Sequence, residues 1–107
     1  MDIEEIKRFR ELPYKKNSSF YGKMFSEKEI SYCLSKADPY PHFAARFAAK
    51  EAIIKASGLK LKDLINIEVS NDKYGIPKAK IKNKKGKFLI SLAHTRNQAI
   101  AIALWLN

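Results

Sequence analysis

The sequence predicts an α+β fold in which helices pack on an antiparallel sheet. Two observations support this prediction. Apolar residues recur at helical spacing in the first half of the 107-residue chain and change to a two-residue alternation in the second half, and these periods are typical of helices and of half-buried strands. A chain of this length can bury one hydrophobic core, so residues 1–107 are expected to form a single domain.

Two short helices are expected near the start of the chain, each with a capping pattern. Apolar spacing over residues 3–9 predicts the first, with Asp2 as its N-cap. A polar connection over residues 14–19 follows. Ser26, with Glu29 three residues later, predicts the start of the second helix, and its apolar face would hold Ile30, Cys33 and Leu34.

The third helix is the strongest element in the sequence. Residues 42–57 are rich in alanine, the best helix former, and Gly58 supplies a C-terminal stop. The proline-containing segment before it, residues 38–41, is expected to break the chain.

The second half of the chain predicts an antiparallel meander. Strands are expected near residues 65–69, 78–81, 88–93 and 99–105. The last strand is apolar on both faces, with isoleucine and leucine on one side and alanine and tryptophan on the other. Helices can cover one face, so the other is expected to be buried against another subunit.

The net charge of +10 is concentrated near the C-terminal end. Residues 71–107 carry eight basic side chains and one acidic one, and most of the excess lies in a lysine-rich hairpin over residues 78–87. By composition this hairpin is either a solvated edge or a surface for an anionic partner. A lone cysteine, Cys33, and the lack of a signal-peptide or membrane-spanning pattern predict a cytoplasmic protein without membrane attachment.

The third predicted helix also carries a patterned set of charges. Arg46 and Lys50 are four residues apart, as are Glu51 and Lys55, so the helix projects three cations and one carboxylate. Taken alone, this is an ordinary surface helix with a Glu–Lys pair. Phosphate-binding loops, dinucleotide-binding glycines, zinc-ligand spacings and nucleophile elbows are absent from the sequence.

This helix nevertheless resembles the signature of the 4′-phosphopantetheinyl transferases of the small, holo-acyl-carrier-protein synthase type. Residues 43–58 are similar to the pattern F-A-x-R-F/W-x-A-K-E-A-x-x-K-A-x-G. Four further segments match in the same order, so the resemblance covers almost the whole chain: D-I-x-x-I-x-R at 2–8, F-T/S-x-x-E at 25–29, I-E-V…G-x-P at 67–77 and I-S-L/I-S/T-H-T at 90–95.

The resemblance implies transfer of the 4′-phosphopantetheine group from coenzyme A to a serine of an apo acyl carrier protein, with release of adenosine 3′,5′-bisphosphate. Attack of a hydroxyl on a pyrophosphate needs a hard divalent cation and fixed positive charges, so Mg²⁺ is the implied cofactor. The resemblance also implies the transferase fold and a homotrimer with sites between protomers. Proton removal from the serine is left to a metal-bound water, to Glu51 or to a group of the carrier.

The family's functional residues carry over by position. Asp2 and Glu51 would hold Mg²⁺, and Glu51 and Lys55 would be the catalytic pair, with Lys55 on the pyrophosphate. Coenzyme A would also contact Arg46, Lys50, Ser91 and His94. The acidic carrier protein would dock on Arg8, helped by Lys7 and Lys23.

Three departures from the family pattern bear on activity. The apolar strand that precedes the aspartate in the family is missing before Asp2, residues 59–64 form a shorter segment without a second glycine, and Ala93 stands where serine or threonine is usual. The alternative function is a small basic nucleic-acid-binding module that uses the lysine-rich hairpin. Because only Phe88 beside it could stack on a base and no RNA-binding motif is present, a nucleic acid is the less favoured partner.

Overall fold

The computed structural model describes residues 1–84 and 86–106. Within these ranges the elements are β1 (Asp2–Glu5), α1 (Ile6–Arg10), α2 (Ser18–Met24), α3 (Glu27–Leu34), α4 (Pro39–Ser57), β2 (Ile67–Asn71), β3 (Pro77–Ile81), β4 (Lys87–His94) and β5 (Gln98–Leu106). Short 3₁₀ helices cover Tyr14–Lys16 and Leu61–Asn66. The predicted α+β class is confirmed.

The strands form two antiparallel sheets and not one meander. β1, β5 and β4 make a three-stranded sheet in that order, and β2 pairs with β3 in a second sheet. The predicted meander is therefore wrong in its connectivity: two of its three consecutive strand pairings are present, and the pairing of β3 with β4 is not found among the described residues. β5 lies at the centre, with Asp2 opposite Ala101 on one side and Ile90 opposite Ala103 on the other.

The chain begins with a strand where a helix was predicted. Residues 2–5 form β1, and α1 starts only at Ile6, whose neighbour Glu5 makes no side-chain capping hydrogen bond. Asp2 therefore opens a strand and caps no helix. Ile3 fits a helical spacing with Ile6 by coincidence, because its backbone pairs with Ile100 of β5.

The next two helices differ in how well the sequence predicts them. α2 forms in and beyond the segment predicted as a polar connection, and its Tyr21 is fully buried. α3 begins as predicted: Ser26 Oγ accepts from the Glu29 backbone N–H at 3.2 Å, and a Glu29 carboxylate oxygen accepts from the Ser26 N–H at 2.8 Å. Its apolar face includes buried Cys33, but Leu34 is 44% exposed, contrary to the prediction.

α4 is the central helix of the fold. It starts at Pro39, earlier than predicted, because Asp38 Oδ1 accepts from the Tyr40 N–H at 3.3 Å and proline suits the first helical turn. It ends as predicted at Gly58, whose φ of 74° is left-handed. Small side chains on both surfaces let α4 approach β5 closely, with Ala48, Ala49 and Ala52 facing Ala101 and Ala103 in one buried cluster.

The face of the three-stranded sheet that points away from α4 is uncovered. The large apolar side chains of this outer sheet face are Ile3, Leu89, Ile102, Leu104 and Leu106, all exposed. A continuous apolar patch of this kind marks an interaction surface. None of the helices in the described part of the chain has the length and hydropathy needed to cross a bilayer.

Candidate active site

Asp2, Glu51 and Lys55 lie where β1 packs against α4. Lys55 Nζ donates to Asp2 Oδ1 at 2.8 Å. Glu51 lies one helical turn before Lys55, so both side chains leave the same face of α4. The Asp2 side chain is 11% exposed and that of Lys55 is 58% exposed, which places a nearly buried carboxylate beneath a solvent-accessible ammonium group.

Burial and mutual repulsion perturb the carboxyl groups of this site. Burial raises the pKa of Glu51, and Asp2 raises it further, while Lys55 and Arg8 lower it. Burial also raises the pKa of Glu4, a neighbour on β1, to about 7, with a hydrogen bond to Asp2 and repulsion from Asp2 as the next causes. Asp2 in turn raises the pKa of Lys55. Three carboxyl groups thus crowd a partly buried space, and a cation would relieve their repulsion.

The donor set fits a magnesium ion. Asp2 Oδ2 is buried and receives no N–H or O–H donor from the described residues, and the Glu4 carboxyl group could donate to Asp2 only when protonated. Within residues 1–84 and 86–106, no group of three or more His, Cys, Asp or Glu side chains is arranged to hold a metal ion. Mg²⁺ is usually held by one or two carboxylates together with substrate phosphates and water, which is what Asp2 and Glu51 can offer.

Lys50 lies in the core and not in this site. It is 0% exposed, and its Nζ donates to Glu29 Oε1 at 2.7 Å, to the Met24 carbonyl at 2.6 Å and to the Leu64 carbonyl at 3.2 Å. All three ammonium protons are therefore used within the protein. This position does not favour the predicted contact of Lys50 with coenzyme A, because a step of one residue along α4 turns Lys50 away from Glu51 and toward α3.

Arg46 is a buried cation at the wall of a cleft. It is 3% exposed, its Nη2 donates to Asn71 Oδ1 at 2.6 Å, and its guanidinium stacks over the Tyr32 ring at 4.0 Å. Its Nε is buried and has no hydrogen-bond partner in the part of the chain that the structure describes. The cleft, of about 170 Å³, lies between α3 and β2, and Arg46 is part of its wall together with Lys28, Glu29 and Glu68.

Ser91 and His94 lie on β4, and a single protomer does not bring them to Asp2. Ser91 is exposed on the outer sheet face opposite Ile102, whereas Asp2 lies on the side of α4. His94 is exposed at the end of β4, with its ring 5.9 Å from that of His42. Because β4 and β1 lie on opposite sides of β5, the predicted residues divide into two separate groups.

The three basic residues predicted to dock a partner are exposed on α1 and α2. Arg8 is 70% exposed and donates to Glu4 Oε2 at 3.2 Å. Lys7 is 82% exposed and lies 3.8 Å from Glu11, and Lys23 is also exposed. Beside Arg8 is an apolar pocket lined by Phe9, Leu12, Phe20, Met24 and Phe47. A basic rim next to an apolar pocket suits an acidic partner with an apolar contact side chain.

A family model decides the relationship of this chain to known proteins. The model described as the 4′-phosphopantetheinyl transferase superfamily matches residues 1–103. The chain belongs to the 4′-phosphopantetheinyl transferase superfamily. The resemblance inferred from the sequence is therefore confirmed.

Relatives of this phosphopantetheinyl transferase agree in name and in fold. The holo-acyl-carrier-protein synthase of Thermodesulfovibrio yellowstonii is 44% identical, over 97% of this chain and 93% of the relative. The Helicobacter pylori holo-acyl-carrier-protein synthase in complex with coenzyme A superposes with a TM-score of 0.84 at 26% identity, covering 97% of this chain and 96% of that one. The Bacillus anthracis enzyme, in complex with CoA (3′,5′-ADP), gives 0.83 at 28% identity, covering 99% and 93%.

Sequence reasoning misses two acidic residues that matter in this phosphopantetheinyl transferase. Glu4 adds a third carboxyl group beside Asp2, and the alternation of residues along β1 is the signal that could have found it. Glu29 was expected as part of a helix cap and as the glutamate of the F-T/S-x-x-E segment, with no role in the core. It also accepts from buried Lys50 and, through Oε2, from the Val69 N–H at 2.8 Å, so it joins α3, α4 and β2.

Proposed function

We propose that this chain transfers the 4′-phosphopantetheine group of coenzyme A to a serine of an apo acyl carrier protein. The serine oxygen forms a bond to the phosphorus next to pantetheine, the pyrophosphate bond breaks, and adenosine 3′,5′-bisphosphate leaves. The names of the relatives and the coenzyme A complexes of the structural neighbours support this reaction. The structural observation that supports it most directly is the position of Asp2 of β1 beside Lys55 of α4, with Glu51 one helical turn before Lys55.

Each of these side chains has a role that follows from its chemistry. Asp2 and Glu51 would hold Mg²⁺, which when bound neutralises charge on the pyrophosphate oxygens. Lys55 is a point charge with an exposed ammonium group, suited to a pyrophosphate oxygen. Arg46 supplies a further fixed cation at the cleft between α3 and β2.

The reaction is proposed to need a homotrimer. The apolar outer sheet face gives each protomer a surface to bury and carries Ser91. His94 lies at the end of β4 on the side of α4, near His42. A neighbouring subunit would supply these two residues to the nucleotide end of coenzyme A, completing a site that Asp2 and Glu51 begin.

The carrier protein is proposed to dock on α1 and α2. Arg8 would make the main ionic contact, with Lys7 and Lys23 extending the basic surface. The single cysteine, Cys33, is buried and reduced, which suits a cytoplasmic enzyme.

The nucleic-acid alternative receives little support. Phe88 is half buried and stacked on Trp105 at an interplanar angle of 13°, and Lys84 covers the Trp105 ring at 4.5 Å. These contacts reduce the ring surface that could stack on a base. Lys85, also part of the hairpin, lies outside the described residues.

The test is to incubate the protein with coenzyme A, Mg²⁺ and an apo acyl carrier protein, and to measure the intact mass of the carrier. We expect the carrier to gain one phosphopantetheine group, and to gain none when Mg²⁺ is chelated. An unmodified carrier, with tight binding of the same preparation to an oligonucleotide, would instead favour the nucleic-acid module.

A further inference from the structure

Glu4 lies between the predicted docking residue and the candidate cation site. Residues alternate along β1, so Asp2 and Glu4 lie on the side of α4 while Ile3 and Glu5 point away and are exposed. Glu4 is 8% exposed. A carboxyl group so deeply placed needs polar partners, and those partners define what it can do.

The polar neighbours of Glu4 lead from the surface to the candidate cation site. Arg8 Nη1 donates to Glu4 Oε2 at 3.2 Å. Glu4 and Asp2 are alternate residues on the same side of β1, and Asp2 Oδ1 accepts from Lys55 at 2.8 Å. The Arg8 side chain is 70% exposed, so its remaining N–H groups can reach an acidic partner. The path therefore runs from the surface of α1 to the carboxylates proposed to hold Mg²⁺.

The positive charge of Arg8 acts on the carboxyl groups along this path. Arg8 forms an ion pair with Glu4, and Glu4 shares one side of β1 with Asp2. An acidic partner that neutralises Arg8 would remove this positive potential. Asp2, Glu4 and Glu51 would then attract a divalent cation more strongly.

We propose that Glu4 is a positioning residue that couples docking of the acidic carrier protein at Arg8 to cation binding at Asp2 and Glu51. The inference rests on the proposed function. Coupling between two ligands is reciprocal, so the carrier tightens binding of the cation and the cation tightens binding of the carrier by the same factor. A carrier-free enzyme would hold its cation weakly.

The test measures binding and not turnover. Mn²⁺ serves as the probe, in calorimetric titrations at about pH 8 without coenzyme A, with and without an apo carrier whose serine is replaced by alanine. In the parent protein we expect the carrier to tighten Mn²⁺ binding by at least about fivefold, the lower end of ordinary coupling between sites. In Glu4→Gln, which keeps the shape and loses the charge, we expect a smaller factor than in the parent, because the ion pair with Arg8 is lost.

The matched control is Glu5→Gln, which removes an exposed carboxylate from the same strand. It should couple the two ligands like the parent. Equal coupling in Glu4→Gln and the parent, or no coupling in a parent that binds both ligands, would overturn the inference. If the parent binds no Mn²⁺ and Glu51→Gln transfers phosphopantetheine normally, the proposed cation site itself is wrong, and the coupling fails with it.

Discussion

Asp2, Glu4 and Glu51 form a cluster of three carboxyl groups whose negative charges repel one another. The raised pKa values of Glu4 and Glu51 record that repulsion together with burial. Lys55 and Arg8 offset only part of it, and both are largely exposed, where solvent weakens their effect. A cation would therefore stabilise this site as well as serve the reaction.

Glu51→Gln should abolish Mg²⁺-dependent transfer and leave the fold intact. The amide keeps the size of the side chain and loses the negative charge that a hard cation requires. Turnover is measured by carrier mass across a Mg²⁺ titration, and the fold by circular dichroism. Glu27→Gln, an exposed carboxylate on α3, is the control and should transfer normally. Near-normal turnover of the Glu51→Gln variant would refute the assignment of Glu51 to the metal.

Glu4 should make stability fall as pH rises. Its pKa is about 7 in the folded protein against a usual 4.5, so the folded state holds the proton more tightly than the unfolded state. That stabilisation is complete below about pH 4.5 and is lost as pH passes through 7. The difference in free energy of unfolding between Glu4→Gln and the parent should therefore shift in favour of Glu4→Gln by about 2 to 3 kcal/mol from pH 5 to pH 8.

The measurement for Glu4 is urea unfolding without divalent cations at both pH values. Glu5→Gln provides the exposed control and should follow the parent at each pH. Parallel pH dependences of the Glu4→Gln variant and the parent would mean that the Glu4 carboxyl group is not perturbed as described.

For individual residues of the candidate site, the sequence predicts some positions correctly and misses others. Glu51 and Lys55 follow from the motif, and their common helical face brings them to Asp2. Lys50 belongs to the same motif and is buried, because helical rotation turns adjacent residues about 100° apart. A motif identifies residue types, but burial depends on what packs against each face.

α4 holds the fold together through two different surfaces. One is the alanine face that packs on β5. The other is Lys50, whose ammonium group joins Glu29 of α3 with the Met24 and Leu64 carbonyls. Breaking a buried pair of this kind leaves an uncompensated charge and costs about 3 to 5 kcal/mol.

Lys50→Met should therefore destabilise the protein by about 3 kcal/mol or more. The measurement is urea unfolding at low temperature. Lys28→Met, which removes an exposed lysine from α3, should cost less than about 1 kcal/mol. The folded fraction of Lys50→Met should keep the KM for coenzyme A of the parent. A rise in that KM without loss of stability would indicate that Lys50 contacts coenzyme A after all.

The elements that the sequence predicts well are those with local signals. The capping box of α3 and the alanine run and glycine stop of α4 act within a few residues. β1 was missed because its partner, β5, lies at the other end of the chain. A four-residue strand is too short for its two-residue alternation to be distinguished from the first turn of a helix.

On the scale of the whole molecule, the apolar outer sheet face and the division of the site point to one assembly. Leu104 is 57% exposed at the centre of that face. Leu104→Glu would place a charge in the proposed subunit contact, so light scattering should find a monomer and transfer should be lost. Phe20→Glu, which changes an exposed apolar residue on α2, should leave the oligomer intact. A monomeric parent at micromolar concentration would contradict the trimer.

Mixed oligomers test whether the site is shared. His94→Ala and Glu51→Gln subunits should each be weak alone, yet random mixing should restore roughly a quarter of the parent activity if neighbouring subunits supply the two residues. Full activity of His94→Ala alone, or no recovery on mixing, would count against a shared site.

The distribution of charge separates two possible docking surfaces. Arg8→Glu should raise the KM for the carrier at least about tenfold, the roughly 1.4 kcal/mol expected for reversing one partly desolvated contact, with the affinity for coenzyme A almost unchanged. The double substitution Lys84→Gln and Lys85→Gln should raise the KM for the carrier by a smaller factor. Normal carrier binding by Arg8→Glu, with loss in the lysine variant, would move the docking surface to the hairpin.

The aspartate proposed to bind the metal is carried by the short edge strand β1, whose one partner strand in the described part of the chain is β5. Edge strands open locally at a free energy below that of global unfolding. Each opening of β1 would withdraw Asp2 and Glu4 together while α4 keeps Glu51 and Lys55 in place. The apparent cation affinity is then the intrinsic affinity multiplied by the closed fraction. Amide exchange in residues 2–5 should therefore report the proportion of competent enzyme more faithfully than a melting temperature.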